Sequence, residues 1–390
     1  MKRNVALLAA AQALLLTNGI TLIAINGLAG FALAPDKRLA TVPVMAYVIG
    51  SALSTLPASY FMKHYGRRAG FTLGSALGMA GAAVGAAALF LQSFWLLCLG
   101  ALFSGIYNAF GQYYRFAAAD MASADFRSKA ISLVLAGGII GGVLGPEASK
   151  ITRELLEPRF AASFLTLILF ALASMAIVRR LDIPPLSAEE KRAEGRPLAE
   201  IMRQPVFIVA VLAAAVGYGV MNLLMSATPL AMDICRHPYA DAAFVLEWHV
   251  IGMFAPSFFT GSLIKRFGVL NVLLVGAVLM FACVTIAMSG VSLMHFWWAL
   301  TLLGVGWNFL YIGGTTLLTE AYRPEERAKT QGFNDFLVFT AMTLSSLTSG
   351  MVVTGPGWAA LNQLALPFLA LTALATALLW LKRRAVPAAL

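Results

Sequence analysis

The chain has 390 residues, of which 60% are hydrophobic and only 12% charged, and its formal net charge is +10. A water-soluble domain carries about 25% charged residues, so a soluble globular fold is excluded. The basic residues sit in short connectors between apolar runs rather than in one patch, which excludes a nucleic-acid partner and marks the lipid bilayer as the chain's solvent.

Apolar runs of about 20 residues cross the hydrocarbon core as helices. They are predicted at 5–31, 41–61, 70–90, 94–114, 129–147 and 161–178, then at 206–230, 244–264, 270–290, 295–318, 331–352 and 359–381. Span 1 follows Lys2 and Arg3 and ends near Ala32-Leu33-Ala34, which resembles a signal-peptide cleavage site. A signal core is only about 7–15 residues long. This run is longer and contains Thr17, Asn18, Thr21 and Asn26, so a retained helix is expected. After span 2 comes the loop Ser59-Tyr-Phe-Met-Lys63-His-Tyr-Gly66-Arg67-Arg68. Span 4 carries Tyr107, Asn108, Gln112, Tyr113 and Tyr114 and ends at Arg115. Asn108, Gln112 and Arg115 recur at three- and four-residue spacing and share one helix face. Arg115 suits a bidentate grip on an anionic group, or else anchors the helix end by pairing with Asp120 or Asp125.

Span 5 has glycines at 137, 141 and 145, followed by Pro146 and Glu147. Four-residue spacing of small residues makes a smooth stripe for close helix approach; the expected neighbour is span 8, with its Gly252 and Pro256. A polar linker, 181–205, contains Pro184-Pro185 and Glu189-Glu190-Lys191-Arg192, with a short helix expected at 197–202. It divides a first bundle, 1–180, from a second, 206–390. Span 7 offers Tyr218, Asn222 and Ser226 on one face, span 8 has Glu247 and His249, span 10 has Trp307, Asn308 and Tyr311, and span 11 has Asn334 and Asp335. The cysteines Cys98, Cys235 and Cys283 show no disulfide or metal spacing, and no G-x-x-x-x-G-K-[ST] phosphate loop is present. The histidines are scattered, and no Ser/His pair or metal cluster in the spans suggests an enzyme. Neither a cofactor nor a metal is expected.

The second half repeats the first. Shifted by 202 residues, Val48-Ile49-Gly50 falls on Val250-Ile251-Gly252, Lys63 on Lys265, Gly66 on Gly268, and Phe94-Trp95 on Phe296-Trp297. At a shift of 200, Asn108 meets Asn308 and Arg127-Ser128-Lys129 meets Arg327-Ala328-Lys329. Six helices per repeat give both halves the same orientation, related by an axis along the membrane normal. With the N-terminus inside, all of the 28 Lys and Arg except Lys37, Arg38, Lys150, Arg153, Arg159 and Arg236 fall in cytoplasmic segments. Both termini are therefore expected in the cytoplasm of a bacterial inner membrane.

The loop at 59–68 resembles the G-x-x-x-D-R-x-G-R-R pattern of the major facilitator superfamily, and Gly261-Ser-Leu-Ile-Lys265-Arg-Phe-Gly268 echoes it. The departure is Lys63 and Lys265 where that family has an acid. In the family the acid braces the loop against span 11, so the resemblance implies swapped charges, with Lys63 pairing to Asp335. It also implies gating roles for Lys63, Arg67, Gly145, Pro146 and Lys265. Gly141-Gly142-Val-Leu-Gly145-Pro146 is similar to the G-x-x-x-G-P motif of proton-driven drug antiporters, although Ser149 and Lys150 replace the glycine pair expected next. Three stretches, Gln112 to Asp120, Gly145-Pro146-Glu147 and His249 to Gly261, resemble a bacterial subgroup of poorly assigned carriers.

This resemblance implies an all-α membrane protein with twelve spans, the major facilitator fold, and a cavity lined by spans 1, 4, 7 and 10. It implies a secondary active transporter moving a small organic solute by alternating access, coupled to protons and acting as a monomer. The candidate solute-binding residues are Asn18, Asn108, Gln112, Arg115, Tyr218, Asn222, Trp307, Asn308 and Tyr311. Their rings and amides suit a planar, aromatic or anionic solute. Ionisable groups inside a span are costly and mark function. Burial shifts a carboxylate's proton affinity and opening to water reverses the shift. Asp335, Glu147, Glu247 and His249 are the proton-coupling candidates. A proton-driven exporter and a non-transporting sensor or assembly factor are the alternatives that the sequence leaves open.

Overall fold

In a bilayer every backbone N–H and C=O must find its partner within the protein, so the apolar runs fold as helices. The computed structural model describes residues 2–36, 39–40, 42–183 and 195–385. Lys37, Arg38, Pro184-Pro185 and Glu189-Glu190-Lys191-Arg192 lie outside the described residues. Among the described residues, 11 helices are long and apolar enough to cross a membrane, and one bent pair supplies a twelfth span.

The first six spans are Lys2–Leu33, Val42–Tyr65, Arg67–Phe90, Phe94–Met121, Arg127–Thr152 and Ala161–Val178. A short helix, Leu198–Met202, lies in the linker where one was expected. The remaining spans are Pro205–Ile234, the bent pair of Tyr239–Phe254 and Ser257–Phe267, then Val269–Ser289, Leu293–Leu318, Arg327–Thr354 and Trp358–Ala385. Most outrun their apolar cores, because helices continue to the interfaces where polar residues are tolerated. The largest difference from the sequence reading is in span 4. It resumes after a turn at Gln112 and Tyr113 and runs on to Met121, so Arg115 lies inside the span rather than at its end.

Repeat-related residues carry the turns and bends. Gly66 alone separates span 2 from span 3, at φ 90°, and its counterpart Gly268 separates span 8 from span 9, at φ 87°. Residues with a Cβ rarely adopt that left-handed backbone. In span 8 the helix axis turns by 42° beside Pro256, which has no N–H to give the ladder. Asn308 of span 10 repairs the break. Its Nδ2 donates to Met253 O and Ser257 Oγ, both at 2.6 Å, and its Oδ1 accepts from Thr260 Oγ1 at 2.7 Å. The counterpart Asn108 donates to Ser51 Oγ of span 2 at 3.1 Å.

The helices form two compact units. One contains Met1–Ala122, Leu133–Glu194 and Pro324–Phe336; the other contains Ser123–Ser132, Gly195–Arg323 and Leu337–Leu390. The first turns of spans 5 and 11 thus belong to a different unit from the rest of each helix. Within the first unit the glycine stripe of span 5 meets span 1, not span 8 as expected. A Cβ on Gly141 would lie 2.6 Å from Leu16 Cβ, and one on Gly145 would lie 2.8 Å from Ile20 Cβ. Thr21 Oγ1 of span 1 donates to Gly145 O at 3.0 Å. A stripe of small residues specifies close approach without specifying the neighbour. Span 8 meets the start of span 5 elsewhere, in the second unit, where Ser128 Oγ donates to Gly261 O at 2.9 Å and Ser132 Oγ to Ser257 O. Gly252 packs instead on Thr301 O of span 10.

Candidate functional site

The shared face of Asn108, Gln112 and Arg115 becomes a continuous hydrogen-bonded row in the first unit. Ser51 Oγ bridges Tyr47 O and Gly105 O, both at 3.0 Å, and accepts from Asn108 Nδ2. Gln112 Nε2 donates to Asn108 Oδ1 at 3.2 Å. Arg115 Nη1 donates to Gln112 O at 2.7 Å and Gln112 Oε1 at 2.9 Å. Arg115 Nη2 then reaches Asp335 Oδ1 at 2.5 Å. Both side chains of this ion pair are buried, at 1% and 2% exposure. Asn334 Nδ2 donates to the same carboxylate oxygen at 2.8 Å, while Asp335 Oδ2 is buried with no hydrogen-bond partner among the described residues.

Two expectations are corrected here. Lys63 is not the partner of Asp335: Arg115, one turn beyond Gln112, holds that carboxylate. Nor does Arg115 pair with Asp120 or Asp125. Arg67 Nη2 bonds Asp120 Oδ2 at 2.6 Å and Gln331 Oε1 at 2.8 Å, and Arg327 Nη1 approaches the same Asp120 oxygen at 3.5 Å. Asp125 faces Lys265 at 3.7 Å, with both side chains more than half exposed. Lys63 is half-buried. Arg67 also lies over the Tyr113 ring, 5.6 Å from its centroid. The roles of Gln331 and Arg327 were not singled out in the sequence.

The second unit gathers the aromatic candidates. Trp307 and Tyr311, one turn apart on span 10, are stacked with centroids 5.1 Å apart and planes 17° from parallel. Tyr218 of span 7 sits edge-on to both, at 5.3 and 5.2 Å, and Phe254 of span 8 meets Trp307 at 5.8 Å. Trp307 is buried and its indole N–H has no hydrogen-bond partner among the described residues, whereas Tyr218 is half-buried. Asn222, one turn beyond Tyr218, donates to Met342 O, Ser345 Oγ and Ser346 Oγ at 3.2, 2.9 and 2.7 Å. A mostly apolar cavity of about 430 Å³ opens beside it, lined by Val216, Gly219, Leu223, Ser345, Leu364 and Phe368.

The other candidates are dispersed. Asn18 Nδ2 ties span 1 to Leu167 O of span 6 at 3.0 Å. Glu147 is exposed and lies 3.8 Å from Lys150, and the neighbouring Pro146 is also exposed. Glu247 is exposed on span 8. His249 is fully buried, and its Nδ1 donates to Leu300 O at 2.7 Å. Among the described residues no group of His, Cys, Asp and Glu is placed to hold a metal ion.

Among the described residues, up to twelve apolar spans, with a buried ion pair and a polar row in the first unit, define a multi-pass membrane protein. The chain belongs to the Major Facilitator Superfamily, whose family model matches residues 6–247 and 239–389; it is a transporter rather than an enzyme. It is 40% identical over 373 residues to the riboflavin transporter RfnT of Brucella anthropi, covering 95% of this chain and 94% of that one. It is 28% identical to YddS of Bacillus subtilis, an uncharacterized transporter of the same superfamily, over 84% of this chain and 79% of that one. Among solved structures, the E. coli fucose:proton symporter superposes with a TM-score of 0.78 at 16% identity, covering 96% and 98% of the two chains. A proton:xylose symporter gives 0.78 at 15%, covering 95% and 94%. At such low identity these two structures show the fold alone.

Proposed function

We propose that the protein carries riboflavin across the bacterial inner membrane by alternating access, driven by protons, with both termini in the cytoplasm. The observation that carries this reading is the 40% identity to a riboflavin transporter over nearly the full length of both chains. The site chemistry supports it. Riboflavin has a flat tricyclic ring rich in hydrogen-bond acceptors. Aromatic pairs contribute about 0.5–1.5 kcal/mol beyond the area they bury. The stacked Trp307 and Tyr311 supply such a surface, and the unsatisfied Trp307 N–H supplies a donor for a ring acceptor. Trp307 and Tyr311 are both buried, so this reading has half-buried Tyr218, edge-on to both, turn aside to admit the ring. Arg115 is held by Asp335 and Gln112, which favours an uncharged solute such as riboflavin over an anion. Asp335 is the group best placed to exchange the driving proton, because its Oδ2 is buried without a hydrogen-bond partner among the described residues.

Flavin fluorescence tests the reading. Titrating purified protein into riboflavin is expected to quench emission saturably, and Trp307→Leu is expected to weaken binding about tenfold, the equivalent of about 1.4 kcal/mol of lost contact. Folded wild-type protein that produced no saturable quenching at millimolar concentration would overturn it.

A further inference from the structure

The row from Ser51 to Asp335 has a property that its members lack singly: each amide in it uses its donor in one direction and its acceptor in the other. Asn108 gives its N–H to Ser51 and takes one from Gln112, while Gln112 takes one from Arg115. We infer that Gln112 is the residue that couples solute binding to the protonation of Asp335. This rests on the reading of the protein as a proton-driven flavin carrier and assigns that coupling to a particular side chain.

Asp335 lies among Arg115 and Tyr113 of span 4 and Arg67 of span 3, with Asn334 and Gln331 on its own helix. Of the charged groups, Arg115 makes the direct bond, and its other terminal nitrogen is held by both oxygens of Gln112. A solute that competes for the Gln112 or Asn108 amide breaks the row at that point. Gln112 then turns, Arg115 loses one of its holds, and the guanidinium no longer keeps its geometry on Asp335. The carboxylate takes a proton from water, becomes neutral, and releases Arg115; in the reverse step the proton returns to water as the ion pair re-forms. Linkage makes the effect reciprocal: a proton that alters solute affinity by some factor has its own affinity altered by the same factor.

Simple anchoring of Arg115 requires only an acceptor at position 112, whereas coupling requires an acceptor toward Arg115 and a donor toward Asn108. Gln112→Glu keeps the first and loses the second. The experiment is riboflavin binding by the full-length protein in detergent at pH 6 and pH 8, read as the ratio of the two dissociation constants. Wild type is expected to change affinity about tenfold between these values. Asp335→Asn is expected to bring the ratio to within about twofold of unity, and Gln112→Glu, Gln112→Leu and Asn108→Leu are expected to do the same whatever their absolute affinity. A wild-type ratio in Gln112→Glu, or in both Gln112→Leu and Asn108→Leu, would overturn the inference while leaving flavin transport standing. Absence of riboflavin binding by wild type would overturn the flavin reading and the coupling built on it.

Discussion

Removing Arg115 tests the central electrostatic feature of the first unit. Arg115 and Asp335 meet at 2.5 Å with side chains 1% and 2% exposed, so water does little to screen either charge. Breaking a buried pair by deleting one partner costs about 3–5 kcal/mol, because the survivor is stranded, whereas replacing both by apolar groups is close to neutral. Arg115→Met and Asp335→Leu are each expected to destabilise the protein by about 3–5 kcal/mol at neutral pH. The double variant should fall well short of the sum, leaving a coupling energy of about 3 kcal/mol or more. The assay is equilibrium unfolding of the four proteins in one detergent, followed by tryptophan fluorescence. Single effects that add to within about 0.5 kcal/mol would refute the pairing.

Asn308→Leu is expected to cost about 1–3 kcal/mol in the same unfolding assay, since it strips the Met253 carbonyl and the Ser257 hydroxyl of their amide donor and the Thr260 hydroxyl of one of its two acceptors at the bend of span 8. Gly66→Ala and Gly268→Ala are each expected to cost about 1–2 kcal/mol through the positive φ alone, because a Cβ there meets nothing within 4 Å. Gly350→Ala, in the helix Arg327–Thr354 and equally uncrowded, should instead be neutral or stabilising by up to about 1 kcal/mol. Equal losses at Gly66 and Gly350 would show that the turn conformation is not the cause.

The spans were legible because a bilayer imposes length and apolarity that composition alone reveals, and the family loop pattern between spans 2 and 3 survives even with Lys63 in the acidic place. The repeat was legible too, and Asn108 and Asn308 stand out as matched polar residues. What the sequence does not carry is which side chain reaches which. Lys63 and Asp335 were matched by charge and motif position, but Arg115 sits on a helix that continues past its apparent end and reaches the carboxylate first. The same holds for Gly137, Gly141 and Gly145: the spacing announces a contact, and only the fold shows that span 1 fills it. Asn308 reads as a cavity amide in sequence, yet every bond it makes closes the break in span 8. The aromatic set of Tyr218, Trp307 and Tyr311 was found by its residue types, and the stacking of Trp307 on Tyr311 emerged only from their mutual geometry.

Counterflow tests the flavin-carrier account most directly, because it detects carriage regardless of direction and needs no driving gradient. Proteoliposomes containing the purified protein and loaded with unlabelled riboflavin are placed in a trace of labelled riboflavin. The account predicts a transient accumulation of label inside that is absent from protein-free liposomes and absent when the internal riboflavin is replaced by an unrelated sugar. Folded, reconstituted protein that gave no more internal label than protein-free liposomes would contradict it.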